Sequence, residues 1–174
     1  MLDITIQKET ASQFEDIYQV NRLAFNQDAE AKLVNSLRRN NNVFVPELSL
    51  TALLDGKIVG HILFTKITIV SKDQNTESLA LAPMAVLPEF QSKGIGGKLI
   101  QKGLTNAKEL GFESVIVLGH EHYYPKFGFE PASKWNIKAP FDVPNNAFMA
   151  IELTTGALAN INGVVQYPNE FNEV

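Results

Sequence analysis

The chain contains no cysteine in its 174 residues. That absence excludes a disulfide framework, a thiolate zinc site and a cysteine nucleophile together. Histidine is scarce, represented by His61, His120 and His122 alone, and Trp135 is the one tryptophan. No apolar run approaches the ~20 residues that cross a bilayer. Met1 to Glu9 has neither the basic start nor the apolar centre of a signal peptide, so a cytoplasmic protein without membrane contact is expected. Positive charge is in deficit: 15 Lys+Arg stand against 19 Asp+Glu, a net charge of -4, which speaks against generic nucleic-acid binding. Neither repeats nor low-complexity tracts interrupt the chain. What is present is 45% hydrophobic residues in a chain of one-domain length, enough to bury a core.

Leu2 to Gln7 alternates apolar and polar residues as a half-buried strand does. Ser12 and Glu15 have capping-box spacing ahead of a helix whose face would carry Phe14, Ile17, Tyr18 and Ala24. A second helix is predicted over Ala29 to Arg39, with Leu33, Val34 and Leu37 inward, ending at Asn40-Asn41-Asn42. Leu48 to Leu54 and Lys57 to Val70 are strand-like and joined by Asp55-Gly56, a two-residue hairpin signal. Ser78 to Val86 is a third strand of this antiparallel group, closed by Pro88. Ile95, Leu99, Ile100, Gly103, Leu104, Ala107 and Leu110 then follow helical spacing up to Gly111. Ser114 to Leu118 is short and apolar, as expected of a strand paired in parallel with the one before the helix. A Pro-containing loop and a strand near Phe148 to Leu153 follow, and Thr154 to Val174 reads as mostly loop. The fold class is therefore α+β, in one domain spanning 1–174 with a core of about 1–153 and an extension over 154–174.

The segment Gln91-Ser92-Lys93-Gly94-Ile95-Gly96-Gly97-Lys98 lies between a strand and the strongest helix, where unpaired backbone N–H groups bind anions. Gly94 and Gly96 let a ligand approach, and Lys93 and Lys98 place positive charge nearby, so a phosphate or pyrophosphate is the natural guest. A Walker loop fails twice, with Ser92 in place of its first Gly and Leu99 in place of Ser/Thr. A dinucleotide Gly-x-Gly-x-x-Gly fails at Leu99 as well.

Gln91, Gly94 and Gly96 match Gln/Arg-x-x-Gly-x-Gly/Ala in full, and Tyr124-Pro125-Lys126-Phe127-Gly128-Phe129 supplies a second motif. On these residues the chain resembles the GNAT superfamily of acetyl-CoA-dependent N-acetyltransferases, with similar element order from about Ile4 to Leu153. Gly156 to Phe171 resembles the C-terminal extension of an uncharacterised bacterial subgroup of that superfamily. The resemblance implies a mixed, mostly antiparallel sheet flanked by helices, with a parallel strand-helix-strand unit and a split where a β-bulge splays the fourth strand from the fifth. The pantetheine arm of acetyl-CoA would lie in that split on the backbone of Met84, Ala85 and Val86. Its pyrophosphate would sit on the turn from Gln91 to Lys98, that is Gln91, Ser92, Lys93, Gly94, Ile95, Gly96, Gly97 and Lys98, and Tyr124 and Phe127 would also contact the cofactor.

The implied reaction is direct transfer of an acetyl group to a primary amine, with an oxyanion donor near the Val86 N–H and no covalent intermediate. Tyr124, four residues before Gly128, matches the tyrosine that in many members protonates the leaving sulfur; Tyr123 is its rival. The base that takes the amine proton is open between His120 and Glu121, which follow the strand Val115 to Leu118. His61 reads as a satisfied core residue, Asp28 and Glu30 as candidates for contact with the amine, Trp135 as packing, and Lys102, Lys108 and Glu109 as a solvated helix face. His120 and His122 with Glu121 make a poor ligand set, and no metal is expected. A non-catalytic acyl-CoA-binding sensor or interaction module is the alternative. The acceptor is a small-molecule or peptide amine, and the strand Phe148 to Leu153 with the tail could pair across a homodimer.

Overall fold

Asp55 and Gly56 both take positive φ, 51° and 78°, the backbone of a tight hairpin turn. They join β2 (Phe44–Leu54) to β3 (Lys57–Val70), and β4 (Asn75–Val86) returns along the other edge of β3. The computed structural model, which describes residues 1–173, places β1 (Thr5–Lys8) outside β2. Beyond β4 the chain crosses the sheet in a helix, α3 (Ile95–Glu109), and β5 (Ser114–Leu118) pairs with β4 in parallel. β8 (Phe148–Glu152) runs antiparallel to β5, and the two-residue β6 (Glu130–Pro131) follows it, giving the order β1-β2-β3-β4-β5-β8-β6. This is the mixed, mostly antiparallel α+β sheet expected from the sequence.

Alternation of side chains sends β3 residues to two faces. Ile62 and Phe64 pack under α3 with Leu79, Leu81, Leu99 and Ile100. On the opposite face Leu63 meets Ile17 and Val20 of α1 (Phe14–Phe25) and Leu33, Val34 and Leu37 of α2 (Ala29–Arg38). Further along that face Ile67, Ile69, Ala80 and Ile116 are covered by Phe148, Leu158 and Val165. Trp135 packs against this last cluster, as expected.

Several expectations are corrected. The capping box is formed by Thr10 and Gln13, with Thr10 N–H donating to Gln13 Oε1 at 3.0 Å, rather than by Ser12 and Glu15. A 3-10 turn (Ala11–Gln13) therefore precedes α1, and Phe14 sits at the helix entrance, 36% exposed under the Arg38 guanidinium, instead of in the core. β2 and β4 begin earlier than the apolar pattern suggests, because ladder pairing continues through polar residues such as Asn75 and Glu77 opposite Val70 and Thr68. Residues beyond Thr154 do not form mere loop: β9 (Gly163–Gln166) bonds to the end of β3 and to β7 (Ile137–Lys138), and a 3-10 turn (Asn169–Glu173) follows. β8 lies between β5 and β6, so Met149 and Ala150 are bonded on both sides.

Candidate active site

β4 and β5 are paired only at Leu79–Val115 and Ala80–Ile116. Beyond that point β4 carries one extra residue against β3, between the Phe64–Leu81 and Ile62–Met84 pairs, at the cis Ala82–Pro83 peptide. Such a bulge turns a strand away from its neighbour, and here it opens the split that the resemblance implies. Leu87 N–H donates to Val59 O at 2.9 Å. Because backbone groups alternate in direction along a strand, Ala85 also faces β3, while the N–H and C=O groups of Met84 and Val86 face the split. An extended amide-bearing chain can add itself to such an edge.

The strand hands over to the glycine turn through a 3-10 turn (Pro88–Phe90), and Gln91 Nε2 donates back to Val86 O at 3.0 Å. Ser92 at φ 62° and Gly94 at φ 85° bend the chain into α3, and Gly94 caps the helix without any side-chain bond to its N–H groups. The first bond within the helix is Lys98 N–H to Gly94 O at 3.2 Å. The N–H groups of Ile95, Gly96 and Gly97 therefore lack helix partners, and Ile95 and Gly96 line the cleft at this helix start, where the dipole favours an anion. A Cβ on Gly96 would lie 2.9 Å from the Tyr123 hydroxyl and 3.1 Å from Met84 Cε, so a larger side chain would have to displace the ends of both. Gly97 instead rests on the Phe127 ring, 3.4 Å from a would-be Cβ. Phe127 thus supports the turn from beside it, and Gly97, like the exposed Lys93 and Lys98, does not line the cleft.

Leu118 and Gly119 end β5 on the other side of the split, and a short loop leads to the 3-10 turn Tyr124–Phe127. Tyr124 is 8% exposed. Its ring meets Tyr123 and Phe129 edge to face, with centroids 5.2 and 5.7 Å apart. It also covers Gly119 so closely that an added Cβ there would collide with the ring, whose Cδ2 would be 2.9 Å away. Burial, with the neighbouring Tyr123 adding to it, pushes the Tyr124 hydroxyl up to about 12, and burial raises Tyr123 as well. Both phenols line the cleft and carry their protons throughout the neutral range.

His120 is exposed and lines the same cleft. Glu121 does not: it is exposed outside the lining and pairs with the exposed His122 at 3.3 Å. Glu30 lines the α1–α2 side, its Oε2 accepting from Gln27 Nε2 at 2.9 Å, whereas Asp28 lies outside. Among the described residues no three His, Cys, Asp or Glu side chains gather in a way that could hold a metal ion, and no helix is long and apolar enough to cross a membrane. The cleft is continuous, ≈ 1960 Å³, larger than the roughly 300–1,000 Å³ of a single-ligand pocket. Its remaining wall carries Phe25, Phe141, Tyr167 and Phe171, none of which the sequence reading selected. No motif marks them, since loop positions reach a site through tertiary placement alone.

His61 is fully buried and bonded, as read from the sequence, but within a larger polar chain than expected. Asn21 Nδ2 lies 3.2 Å from His61 Nδ1, His61 Nε2 lies 2.9 Å from Ser49 Oγ, and Ser49 donates to Glu9, which Arg38 also holds at 2.7 Å. Burial alone would raise the Glu9 carboxyl, but the bonds from His61, Arg38 and Ser49 and the Arg38 charge hold it down at about 2. Burial lowers His61, which favours the neutral imidazole.

Residues 12–129 match the model of the acetyltransferase (GNAT) family. The chain belongs to the GNAT acetyltransferase family. Among its relatives are Escherichia coli K12 YjhQ, an uncharacterised N-acetyltransferase, 43% identical over 134 residues that cover 76% of this chain and 74% of YjhQ. The likewise uncharacterised N-acetyltransferase YhbS of the same strain is 32% identical over 152 residues, 87% of this chain and 88% of YhbS. The crystal structure of E. coli YhbS with CoA superposes with a TM-score of 0.90 at 29% identity, covering 99% of this chain and 93% of that one. A Brucella melitensis GNAT acetyltransferase with acetyl-CoA gives 0.79 at 28% identity, covering 98% and 99%. The GNAT fold and acyltransferase class expected from the two motifs are thereby established for this chain.

Proposed function

We propose that this GNAT acyltransferase moves an acetyl group from acetyl-CoA to a primary amine by direct attack, with Tyr124 as the general acid. The observation that carries the reading is the split itself: an open backbone edge at Met84 and Val86, running into a helix start whose N–H groups lack helix partners. That shape suits a long cosubstrate with amides at one end and a pyrophosphate at the other. Met84 and Val86 would bond the amides, and the N–H groups of Ile95 and Gly96 the pyrophosphate. Acetyl-CoA, when bound, supplies an activated thioester.

The chain's own groups then have three tasks. Of the N–H groups that face the split at Met84 and Val86, the one beside the thioester suits a developing oxyanion. Tyr124, protonated at neutral pH and buried, holds its proton until negative charge develops on the sulfur, which a buried site disfavours leaving bare. The amine must arrive neutral or lose a proton, and His120, which lines the cleft, would accept it directly or through water. Glu121, outside the lining and paired with His122, is the weaker candidate. We read residues 1–174 as one catalytic domain acting in the cytoplasm, the extension over 154–174 forming part of the acceptor side. The test is thiol release that requires both acetyl-CoA and an amine, with the acetylated amine identified by mass. Tight binding of acetyl-CoA with no release from any amine would contradict the transferase reading and favour an acyl-CoA sensor.

A further inference from the structure

The wall of the cleft away from the glycine turn is built largely from the C-terminal segment. Phe141 and Tyr167 stack with centroids 6.1 Å apart and planes 19° apart, and Tyr167 meets Phe171 at 5.0 Å. Phe25, at the end of α1, completes this side. Phe141 and Phe25 are 48% and 39% exposed, so apolar ring surface faces the cleft and water, an arrangement whose burial by a ligand would be favourable.

The wall is held in place independently of any ligand. On either side of Phe171, Asn40 Nδ2 donates to Glu170 Oε1 at 2.8 Å and Ser36 Oγ to Glu173 Oε2 at 3.1 Å, which fastens the last 3-10 turn to α2 and its following loop. A ring fixed in advance binds without a further ordering cost.

Charge narrows the choice of guest. Among the described residues lining the cleft, Glu30 is the one acidic side chain, and the basic ones, His120 and Lys126, come from the loop and turn that carry the two tyrosines. A polyamine or aminoglycoside has several ammonium groups to satisfy, for which one carboxylate is too few, the other polar groups beside the rings being the neutral amides of Gln166, Asn169 and Asn172. An amino acid would bring a carboxylate to a wall with no cation.

We propose that the acceptor is an arylalkylamine, a primary amine carrying an aromatic ring. The ring packs against Phe141, Tyr167 and Phe171, Glu30 draws in the ammonium form, and the amine end reaches the split between β4 and β5. The inference rests on the transferase reading and adds its substrate class. In the transfer, the ammonium first gives one proton to His120 or water. The neutral nitrogen then bonds to the acetyl carbon, the carbon–sulfur bond breaks, the nitrogen releases its second proton to His120 or water, and the departing sulfur gains one from Tyr124, which water reprotonates.

Thiol release from 2-phenylethylamine, n-butylamine, spermidine and a lysine-containing peptide tests it, with acetyl-CoA binding measured separately by calorimetry. The expected result is a kcat/KM for 2-phenylethylamine about tenfold above that for n-butylamine. Phe171→Ala should lower kcat/KM for 2-phenylethylamine about tenfold and that for n-butylamine less, removing most of the preference. Phe141→Ala, at an exposed position whose truncation spares the core, should reduce it in the same direction. Spermidine or the peptide matching 2-phenylethylamine, or both variants slowing all amines alike, would overturn the aromatic class while acetyl transfer stands. Acetyl-CoA binding with no release from any amine would overturn the transferase reading and this inference with it.

Discussion

The two ends of the cleft are built from different materials. At the end we propose for the cosubstrate the wall is chiefly backbone: the edge of Met84 and Val86 and the N–H groups at the start of α3. At the proposed acceptor end it is side chains, chiefly Phe141, Tyr167, Phe171 and Glu30, which three separate stretches of chain bring together. Backbone recognition depends on where glycines allow the chain to go and is indifferent to most neighbouring side chains. Side-chain recognition can be rewritten one residue at a time on an unchanged scaffold. One protein can thus keep a common cosubstrate while its acceptor changes.

Substitutions that strike one end and spare the other put this contrast at risk. The largest effect is expected from Gly96→Glu, whose side chain and charge would enter the space beside Tyr123 and Met84; acetyl-CoA binding should vanish in calorimetry while circular dichroism stays native. Gly119→Ala comes next. Its Cβ would displace the Tyr124 ring without touching the glycine turn, so turnover should fall about tenfold with acetyl-CoA affinity intact. Combined with Tyr124→Phe it should add little, because both changes remove the same proton donor. Glu30→Gln should do the reverse, raising the KM for a cationic amine by about threefold, with the KM for acetyl-CoA unchanged in steady-state kinetics.

The smallest effects concern pH. A Tyr124 hydroxyl at about 12 stays protonated well above neutrality, so the rate should rise as the amine deprotonates and show no fall below about pH 10. Stability should follow the buried polar chain under α1 and α2. Glu9, depressed from 4.5 to about 2, stabilises fully above its ordinary value and loses that contribution as pH falls toward 2. His61, also depressed from 6.5, makes the unfolded chain bind more protons below that value, which again destabilises on acidification. The melting temperature should therefore be about 5 °C lower at pH 4 than at pH 7, and Ser49→Ala, which breaks the chain, should reduce that difference.

The cosubstrate end was legible in the sequence because its determinants are local. Gln91, Gly94 and Gly96 lie within six residues and sit between a strand and a helix whose periods are plain. Long elements were legible for the same reason: β3 and α3 begin at the residues their patterns mark. The acceptor end was not, since Phe25 and Phe171 become neighbours of one cleft only after the tail folds back onto β3 and α2. β9 escaped notice because four residues of a Gly- and Asn-rich tail carry no clear period until β3 offers them an edge. Asp28 and Glu30 looked alike in sequence, and only their placement at the helix entrance separates the one that lines the cleft from the one that does not. The polar chain from Glu9 to Asn21 was likewise hidden, its members being scattered over β2, β3 and two helices.

The division of labour across the split is tested most directly by titrating acetyl-CoA into the native protein and Tyr124→Phe side by side, then reading thiol release from the same samples with one amine. Equal affinity with turnover reduced about 10²-fold is expected, since the backbone holds the cosubstrate and the phenol only gives a proton. Unchanged turnover, or an affinity that falls with the hydroxyl, would contradict it.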